Sequence, residues 1–293
     1  MSAAGWRERV EEALGARVVG ERTLGGGCVG DVRRVELKGR GSVVVKAGED
    51  EWGALEGEGW GLGYLREKGL ACPRVLVCER GLLVMEWVES DGGMGESVER
   101  DAAEKLARLH GVREEHGRYG MERDTPIGGL RQRNEWGEEW GEFFGEKRLV
   151  AMAEEGARVG MVSGALVSRV RAMARRLGEM VEGASGGGRL VHGDVWGGNV
   201  LTRGGRVAGF IDAAAWYAHP EVELAFITLF GTFGRAFFER YEEVRGEEIE
   251  RGFWEGKHAR RDVYNVYPLL VHARLFGGGY VGQVESALGR MGF

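Results

Sequence analysis

Residues 190–201, LVHGDVWGGNVL, bring together an imidazole, a carboxylate and an amide, three groups that can handle protons and metal ions. Asn199 follows Asp194 by five residues, and Asp212 follows Asn199 by thirteen. With six histidines, eight aspartates and three asparagines in the chain, only about 0.002 chance matches to His-x-Asp-x4-Asn are expected. Asp194 can accept the proton of an attacking hydroxyl, while oxygens of Asn199 and Asp212 can bind Mg²⁺ between nucleotide phosphates. We therefore predict a phosphoryl-transfer site with Asp194 as the base and Asn199 and Asp212 as metal ligands.

A glycine-rich segment near the N-terminus, TLGGGCVGDV, is a candidate phosphate-covering loop. Gly25, Gly27 and Gly30 fit the pattern G-x-G-x-x-G. Glycine makes up 53 of the 293 residues, so this match carries little weight without the other motifs. Cys28 lies within the loop and is either a small residue tolerated in a turn or a redox-sensitive thiol. The second interpretation follows because a loop that holds phosphate also favours a thiolate.

Lys46 ends the apolar run VVVK, where its ammonium could reach the α- and β-phosphates of a nucleotide. Such a lysine needs a carboxylate that holds it in place. Glu58, in the helix predicted to follow, is the proposed partner, and Glu51 and Glu56 are the alternatives. Lys46 and Glu58 therefore join Asp194 as predicted catalytic residues.

The predicted elements divide the chain into two parts. The first contains a helix, three strand-like segments, a second helix and a hairpin closed near Arg80 and Gly81. A glycine-rich break, ESDGGMGES, follows. The rest is mainly helical, with two longer helices predicted at 134–156 and 164–183 and short strands around the catalytic segment. We predict an α+β, two-lobed, protein-kinase-like fold with a nucleotide-binding lobe at 1–88 and a helical catalytic and substrate lobe at 89–293.

The substrate side of this site differs from that of a protein kinase. Protein kinases usually carry a lysine two residues after the catalytic aspartate, whereas this chain has Trp196. Asp212 lies in IDAAAWY instead of D-F-G, and no A-P-E segment follows. An indole beside the base suits stacking on a sugar or on an apolar ring. Trp196 is therefore a candidate substrate contact, with burial in the core as the alternative.

The segments HGDVWGGN and GFIDAAAWYAHPEVELAFITLFGTFGRAFFERYEEV resemble those of the fructosamine kinases, or ketosamine 3-kinases. These belong to the aminoglycoside phosphotransferase-like branch of the kinase fold. The resemblance continues in order through GGGCVGDV, LLVMEWV, LARLHG, RQRNEWGEEWGEFFGEKRL and HARLFGGGYVG, and covers most of the chain. It implies ATP-dependent phosphorylation of the third-carbon hydroxyl of a ketosamine, a sugar attached to an amine by glycation. The product releases the amine, so the implied activity is deglycation.

The resemblance also suggests binding residues. The segment MEWV would be the hinge, with backbone groups of Glu86 and Val88 meeting the adenine and Met85 lining its pocket. Gln132 and Asn134, in RQRN, belong to scarce residue types and are candidates for substrate contact or for loop capping. The family usually has Asp-Pro-Ala at the metal aspartate, and this chain has alanine in place of the proline, which loosens a turn without removing a ligand.

The composition limits the partners. A net charge of −6 provides no general attraction to nucleic acid or to an anionic membrane, and no apolar run reaches the length of a membrane span. Three scattered cysteines do not make a disulfide framework or a zinc site, and the N-terminus does not read as a signal peptide. We expect a cytoplasmic monomer or weak dimer with ATP and Mg²⁺ as cofactors.

Three functions fit these residues. The first is a ketosamine kinase acting on a free or protein-bound glycated lysine. The second is a kinase for an aminoglycoside or another small hydroxyl compound, which an acidic acceptor cleft would favour. The third is an ATP-binding module without activity, which the presence of every expected catalytic residue disfavours.

Overall fold

The N-terminal part of the chain forms a five-stranded antiparallel sheet. The structure is a computed structural model that describes residues 5–25, 31–184 and 186–293. The strands, in the spatial order β1-β2-β3-β5-β4, are β1 Val18–Thr23, β2 Asp31–Leu37, β3 Gly41–Ala47, β4 Val75–Glu79 and β5 Leu82–Glu86. Strands β4 and β5 form the predicted hairpin at Arg80 and Gly81, and β5 lies between β3 and β4. This order brings the end of β3, which carries Lys46, into the middle of the sheet.

Two helices cover the two faces of this sheet. Helix α1, Gly5–Leu14, packs on the face that includes Leu82 and Val84 of β5. Helix α2, Ala54–Glu67, belongs to the larger core that includes Leu83 and Met85. The alternation along β5 follows from the two-residue period of a strand. Both faces of β5 are therefore buried, and Glu58 of α2 lies beside Lys46 at the end of β3.

Asp50 and Gly59 explain how α2 is placed. The carboxylate of Asp50 accepts hydrogen bonds from the backbone N–H groups of Gly53, Ala54 and Leu55 at 2.9, 2.5 and 3.1 Å, and the helix begins at Ala54. A Cβ atom at Gly59 would lie 2.6 Å from the Sγ atom of Cys78. Glycine at this position therefore lets the helix lie directly against β4.

The C-terminal part is mainly helical. Its helices are α3 Glu96–Leu109, α4 Trp140–Phe144, α5 Ala151–Arg158, α6 Gly164–Ala174, α7 Leu177–Met180, α8 Glu221–Leu229, α9 Arg235–Arg245, α10 Arg251–Trp254, α11 Arg260–Phe276 and α12 Gly279–Met291. A π-helical turn, Gly145–Val150, joins α4 to α5. The long helices α3 and α11 run through a single large apolar core together with α8 and the β-strands described next.

The helix predicted from residue 134 begins six residues later, at Trp140. The backbone of Asn134 accepts a hydrogen bond from the N–H of Met121 at 2.9 Å, and Gly137 pairs with Tyr119, so this stretch is extended. It follows an unpredicted hairpin of β6 Thr125–Ile127 and β7 Leu130–Gln132. The second predicted helix is interrupted after Ala174, which separates α6 from α7.

Four short strands surround the catalytic segment. Strand β8, Arg189–Val191, pairs with β11, Trp216–Ala218, and β9, Val200–Arg203, pairs with β10, Arg206–Phe210. The segments predicted as strand-like correspond to β8, β9 and β10, and β11 was not predicted. Between β5 and α3 the chain runs from Glu86 to Glu96, and the predicted lobe boundary at 88–89 falls in this connection. Among the described residues, no helix is both long enough and apolar enough to cross a membrane.

Candidate active site

The catalytic loop is attached to the end of β8 and requires a glycine. Gly193 has φ 86°, and a Cβ atom there would lie 2.3 Å from the carbonyl oxygen of Ala214. The N–H of Ala214 donates to the carbonyl of His192 at 3.0 Å. The imidazole of His192 is buried and accepts a hydrogen bond from the N–H of Asp194 at its Nδ1, 3.3 Å away. His192 therefore shapes the loop, and Asp194 is the residue that the loop presents.

Asp194 is half-buried and is joined directly to Asn199. The Nδ2 of Asn199 donates to both the backbone oxygen and the Oδ2 of Asp194, each at 2.9 Å. Burial, and then the negative charge of Asp212, raises the pKa of Asp194 to about 8. The two hydrogen bonds turn the amide nitrogen of Asn199 toward the base and leave its Oδ1 without a protein donor among the described residues.

Lys46 connects β3, α2 and the segment after β10. Its Nζ lies 2.6 Å from Oε1 of Glu58 and 2.6 Å from Oδ1 of Asp212. Of the three glutamates considered as partners, Glu58 is the one that pairs with this lysine. Burial alone would lower the pKa of Lys46, but the two carboxylates outweigh it and the pKa is raised. Burial raises the pKa of Glu58 to about 7 in spite of the lysine.

Asp212 adopts a backbone conformation that few side chains tolerate. Its φ is 57°, in the left-handed region where aspartate and asparagine are enriched among the residues other than glycine. The N–H of Ile211 donates to the carbonyl of Asn199 at 3.0 Å, which ties together the two segments that carry the predicted metal ligands. Oδ1 of Asp212 contacts Lys46, so Oδ2 is the oxygen left for a cation.

Glu223 in α8 is a site residue that sequence reasoning missed. Its buried carboxylate accepts hydrogen bonds from the N–H of Gly193 at 2.6 Å and from the N–H of His192 at 3.3 Å. It also lies 2.9 Å from Nε2 of His110, whose Nδ1 is 2.8 Å from the hydroxyl of Tyr241. Burial would raise the pKa of Glu223, but the hydrogen bonds and charge of His110 outweigh it and the pKa is lowered. The available signal was a glutamate inside the apolar stretch EVELAF.

A cavity of about 400 Å³ opens beside Asp194. Trp196 lies at its edge with 40% of its surface exposed, so the alternative of a core position is excluded. Most of the other lining side chains are apolar or aromatic, and come from α4, β11, α8, α11 and α12. The cavity is therefore bordered by the predicted base on one side and by aromatic rings on the others.

Gln132 and Asn134 are buried and hydrogen-bonded within the protein. Gln132 donates to Oγ1 of Thr125 at 3.0 Å and accepts from the hydroxyl of Tyr267 at 2.9 Å. Asn134 accepts from Nη2 of Arg148 at 2.6 Å. Neither lines the cavity, although Tyr267 does. Internal hydrogen bonds account for both scarce residues, and their direct contact with substrate stays a prediction.

Besides Lys46, four of the predicted nucleotide-binding residues lie within the described ranges: Gly25, Met85, Glu86 and Val88. Gly25 follows β1, whereas Gly27, Cys28 and Gly30 lie outside the described residues, so the loop and its redox hypothesis stay predictions. Met85 is buried in β5. The N–H of Glu86 donates to the carbonyl of Arg74 at 2.9 Å, and Val88 lies just beyond the strand. Their contacts with adenine stay predictions as well.

A lysine paired with a carboxylate of the neighbouring helix, facing an aspartate–asparagine loop and a second aspartate, defines a kinase-type phosphotransferase. The profile of the fructosamine kinase family matches residues 5–291. The chain belongs to this family. It is an ATP-dependent phosphotransferase of the ketosamine kinase type.

Individual relatives agree with this. A Synechocystis protein proposed to be a ketoamine kinase is 31% identical over 284 residues, covering 93% of this chain and 90% of its own. The chloroplastic protein-ribulosamine 3-kinase of Arabidopsis thaliana is 29% identical over 273 residues, covering 91% and 80%.

Solved structures confirm the predicted two-lobed, protein-kinase-like fold. A Thermobifida fusca protein proposed to be a fructosamine-3-kinase aligns with TM-score 0.82 and 28% identity, covering 99% of each chain. A Haemophilus somnus protein with the same proposed function aligns with TM-score 0.85 and 21% identity over 98% of this chain and 96% of its own. An aminoglycoside phosphotransferase in a ternary complex with AMP-PNP and hygromycin B shares the fold, with TM-score 0.61, 18% identity and coverage of 99% and 97%.

Proposed function

We propose that this chain transfers the γ-phosphoryl group of ATP to the third-carbon hydroxyl of a ketosamine, with Asp194 as the general base. The observation that carries the proposal is the position of Asp194, which is hydrogen-bonded to Asn199 and also lines the aromatic cavity. A substrate hydroxyl in that cavity would lie between the base and the charged cluster of Lys46 and Asp212. This is the arrangement that in-line phosphoryl transfer requires.

The residues present fit a divalent cation bound together with the nucleotide. Asn199 Oδ1 and Asp212 Oδ2 have no protein donor among the described residues, and both are hard oxygen ligands of the kind that Mg²⁺ prefers. No group of three or more His, Cys, Asp or Glu side chains within the described ranges is arranged to hold a metal. This agrees with Mg²⁺ that takes its remaining ligands from phosphates and water. When bound, Mg²⁺ would neutralise charge on the β- and γ-phosphates.

The protein's own part in the reaction is to position groups and to move one proton. Lys46, held by Glu58, would contact the α- and β-phosphates. The substrate oxygen forms a bond to the γ-phosphorus while the bond to the β,γ-bridging oxygen breaks, and ADP leaves. The hydroxyl proton passes to the carboxylate of Asp194, which is hydrogen-bonded to Asn199 and lines the acceptor cavity.

The lining of the cavity favours a ketosamine over an aminoglycoside. Aminoglycosides are polycations, and an acceptor site for them would present several carboxylates. The described lining contains two carboxylates, those of Asp194 and Glu223. The carboxylate of Glu223 is already hydrogen-bonded to His110 and to the backbone of the catalytic loop. The open edge at Trp196 would admit either a small ketosamine or a glycated lysine of a protein. We also propose that the enzyme acts in the cytoplasm, where Cys72 and Cys78 would stay reduced.

A coupled ADP-release assay tests this function, with fructosyl-lysine, ribulosyl-lysine and kanamycin compared under the same conditions. We expect ADP release with one or both ketosamines, dependent on Mg²⁺, and none above background with kanamycin. ADP release with kanamycin alone would replace the proposed function by the aminoglycoside alternative. ATP binding without ADP release on any acceptor would favour the inactive module.

A further inference from the structure

Exposed aromatic side chains are concentrated in the cavity beside Asp194. Among the described residues, six large apolar side chains are exposed, and three of these, Trp196, Phe230 and Phe276, line this one cavity. Phe276 exposes 58% of its surface and Phe230 exposes 40%. Apolar surface in contact with water is costly, and its concentration in one place indicates a ligand that covers it.

Four of the lining rings form a continuous surface within the cavity. We call it the distal wall and define it as Phe230, His272, Phe276 and Tyr280. The ring centroid of His272 lies 5.0 Å from that of Phe230 and 4.9 Å from that of Tyr280, and Phe276 lies 6.0 Å from Tyr280. The wall therefore brings together the C-terminal ends of α8 and α11 and the start of α12.

The imidazole in the distal wall has a defined protonation pattern. Nδ1 of His272 lies 2.8 Å from the carbonyl oxygen of Pro268, and because a carbonyl only accepts, Nδ1 carries the proton. Burial lowers the pKa of His272, so the ring is neutral and Nε2 is a hydrogen-bond acceptor. The wall thus offers the imidazole acceptor of His272 and the phenol hydroxyl of Tyr280, beside the apolar rings of Phe230 and Phe276.

The charges that line the cavity exclude one class of ligand. The described lining contains no lysine or arginine, and its carboxylates are Asp194 and Glu223. An anionic group on the substrate would meet no counter-ion there. A secondary ammonium, by contrast, is attracted by aromatic faces and can donate to an unprotonated imidazole nitrogen.

We propose that the distal wall binds the nitrogen substituent of the ketosamine and selects alkyl substituents over those that carry a carboxylate. This inference rests on the proposed function, because it assigns a further part of the same acceptor cavity. The sugar lies next to Asp194 and Trp196, and the amine with its substituent lies against Phe230 and Phe276. Phe230, His272, Phe276 and Tyr280 are thereby specificity-determining residues.

Three substrates with the same sugar test the proposal. They are fructose carrying butylamine at its first carbon, fructose carrying 4-aminobutyrate there, and the butyl ether in which oxygen replaces the amine. We expect kcat/KM to be about 10- to 200-fold higher for the butylamine compound than for the 4-aminobutyrate compound, the range for one apolar pocket contact. The ether, which keeps the alkyl chain without the charge, should lie between them.

Variants separate the distal wall from a general loss of structure. Phe276→Ala should raise KM for the butylamine compound about tenfold, leave kcat unchanged, and reduce the preference over the 4-aminobutyrate compound. Phe276→Tyr should restore the preference because it keeps the ring. Met94→Ala, at an exposed apolar residue outside the cavity, is the matched control and should leave all three substrates unaffected.

Different kinetic results would reject the role of the distal wall and the proposed function. Equal kcat/KM for the butylamine and 4-aminobutyrate compounds, with no change in Phe276→Ala, would overturn the distal wall and leave the ketosamine kinase function in place. Absence of ADP release with all three compounds and with fructosyl-lysine would reject the proposed function itself.

Discussion

The charged cluster at Lys46 and the aromatic cavity meet at Asp194, but different interactions hold their side chains in place. In the cluster, every described side chain has a specific partner at 2.6 to 2.9 Å, so position is determined by hydrogen bonds and charge. In the cavity the side chains are held by ring packing at centroid distances near 5 to 6 Å, and several stay exposed. The first arrangement suits a fixed chemical step, and the second suits a substrate that varies outside the reacting hydroxyl.

The comparison predicts that substitutions in the charged cluster reduce activity the most. Asp212→Asn keeps the size of the side chain and the left-handed backbone conformation but removes a charged ligand. We expect kcat to fall by roughly 10²- to 10³-fold, as for loss of one preorganised electrostatic contact, and the Mg²⁺-dependent part of ATP affinity to disappear. Titration of ATP with and without Mg²⁺ measures this. Asp262→Asn on the surface of α11 is the control, and an unchanged Mg²⁺ dependence in Asp212→Asn would remove Asp212 from the metal site.

Lys46→Ala should also cause one of the larger losses of activity. It leaves the carboxylate of Glu58 buried without its cation, which weakens the sheet end as well as phosphate binding. We expect roughly a 10²-fold loss of kcat/KM for ATP together with a lower midpoint of thermal unfolding. Lys105→Ala removes an ion pair of the same length, 2.6 Å to Asp101, between two residues of α3. If both variants lost activity equally, the effect would be one of stability alone.

Charge and scarcity explain why the cluster could be predicted from sequence and the cavity could not. Asp194, Asn199 and Asp212 belong to rare types in this chain, at spacings that the chemistry demands. Glu223 escaped notice because glutamate is abundant, although it holds the catalytic loop. The distal wall depends on how α8, α11 and α12 meet in space, and no local pattern determines which aromatic residues of these helices face a cavity. Likewise, the extended pairing of Asn134 and Gly137 with residues 119–121 overrides a local helical pattern.

Glu223→Gln tests the link between the two regions and should have an intermediate effect. The amide keeps the shape of the side chain but removes the negative charge of the carboxylate, which accepts a hydrogen bond from Gly193 and contacts His110. We therefore expect the free energy of unfolding to fall by about 2–3 kcal/mol at pH 7. Because folding lowers the pKa of Glu223, its stabilisation is present above about pH 4.5, its ordinary value, and declines as the pH falls through the lowered pKa.

Urea unfolding of wild type and Glu223→Gln at pH 7 and at pH 4 measures both effects. The difference in free energy of unfolding should narrow at the lower pH, where Glu223 of the unfolded wild type begins to take up protons. A difference that stayed constant or grew as the pH fell would show that the carboxylate charge is not the stabilising feature.

The smallest expected effect concerns the contact between α2 and β11. The hydroxyls of Tyr64 and Tyr217 lie 2.7 Å apart and connect the helix that carries Glu58 to the strand that frames the catalytic loop. Tyr64→Phe should cost about 1 kcal/mol of unfolding free energy and reduce kcat less than the cluster variants do. A double-mutant cycle with Tyr217→Phe isolates the pair, and additive effects of the two changes would mean that the hydroxyls do not interact.

The central claim is that Asp194 accepts the proton of a sugar hydroxyl as that hydroxyl is phosphorylated. Single-turnover rapid quench with ATP labelled in its γ-phosphate, Mg²⁺ and fructosyl-lysine tests it most directly, with wild type and Asp194→Ala compared under identical conditions. We predict one equivalent of phosphorylated sugar from the wild type, and formation at least about 10²-fold slower in Asp194→Ala with nucleotide affinity retained. Formation of the same product at the wild-type rate by Asp194→Ala would contradict the account.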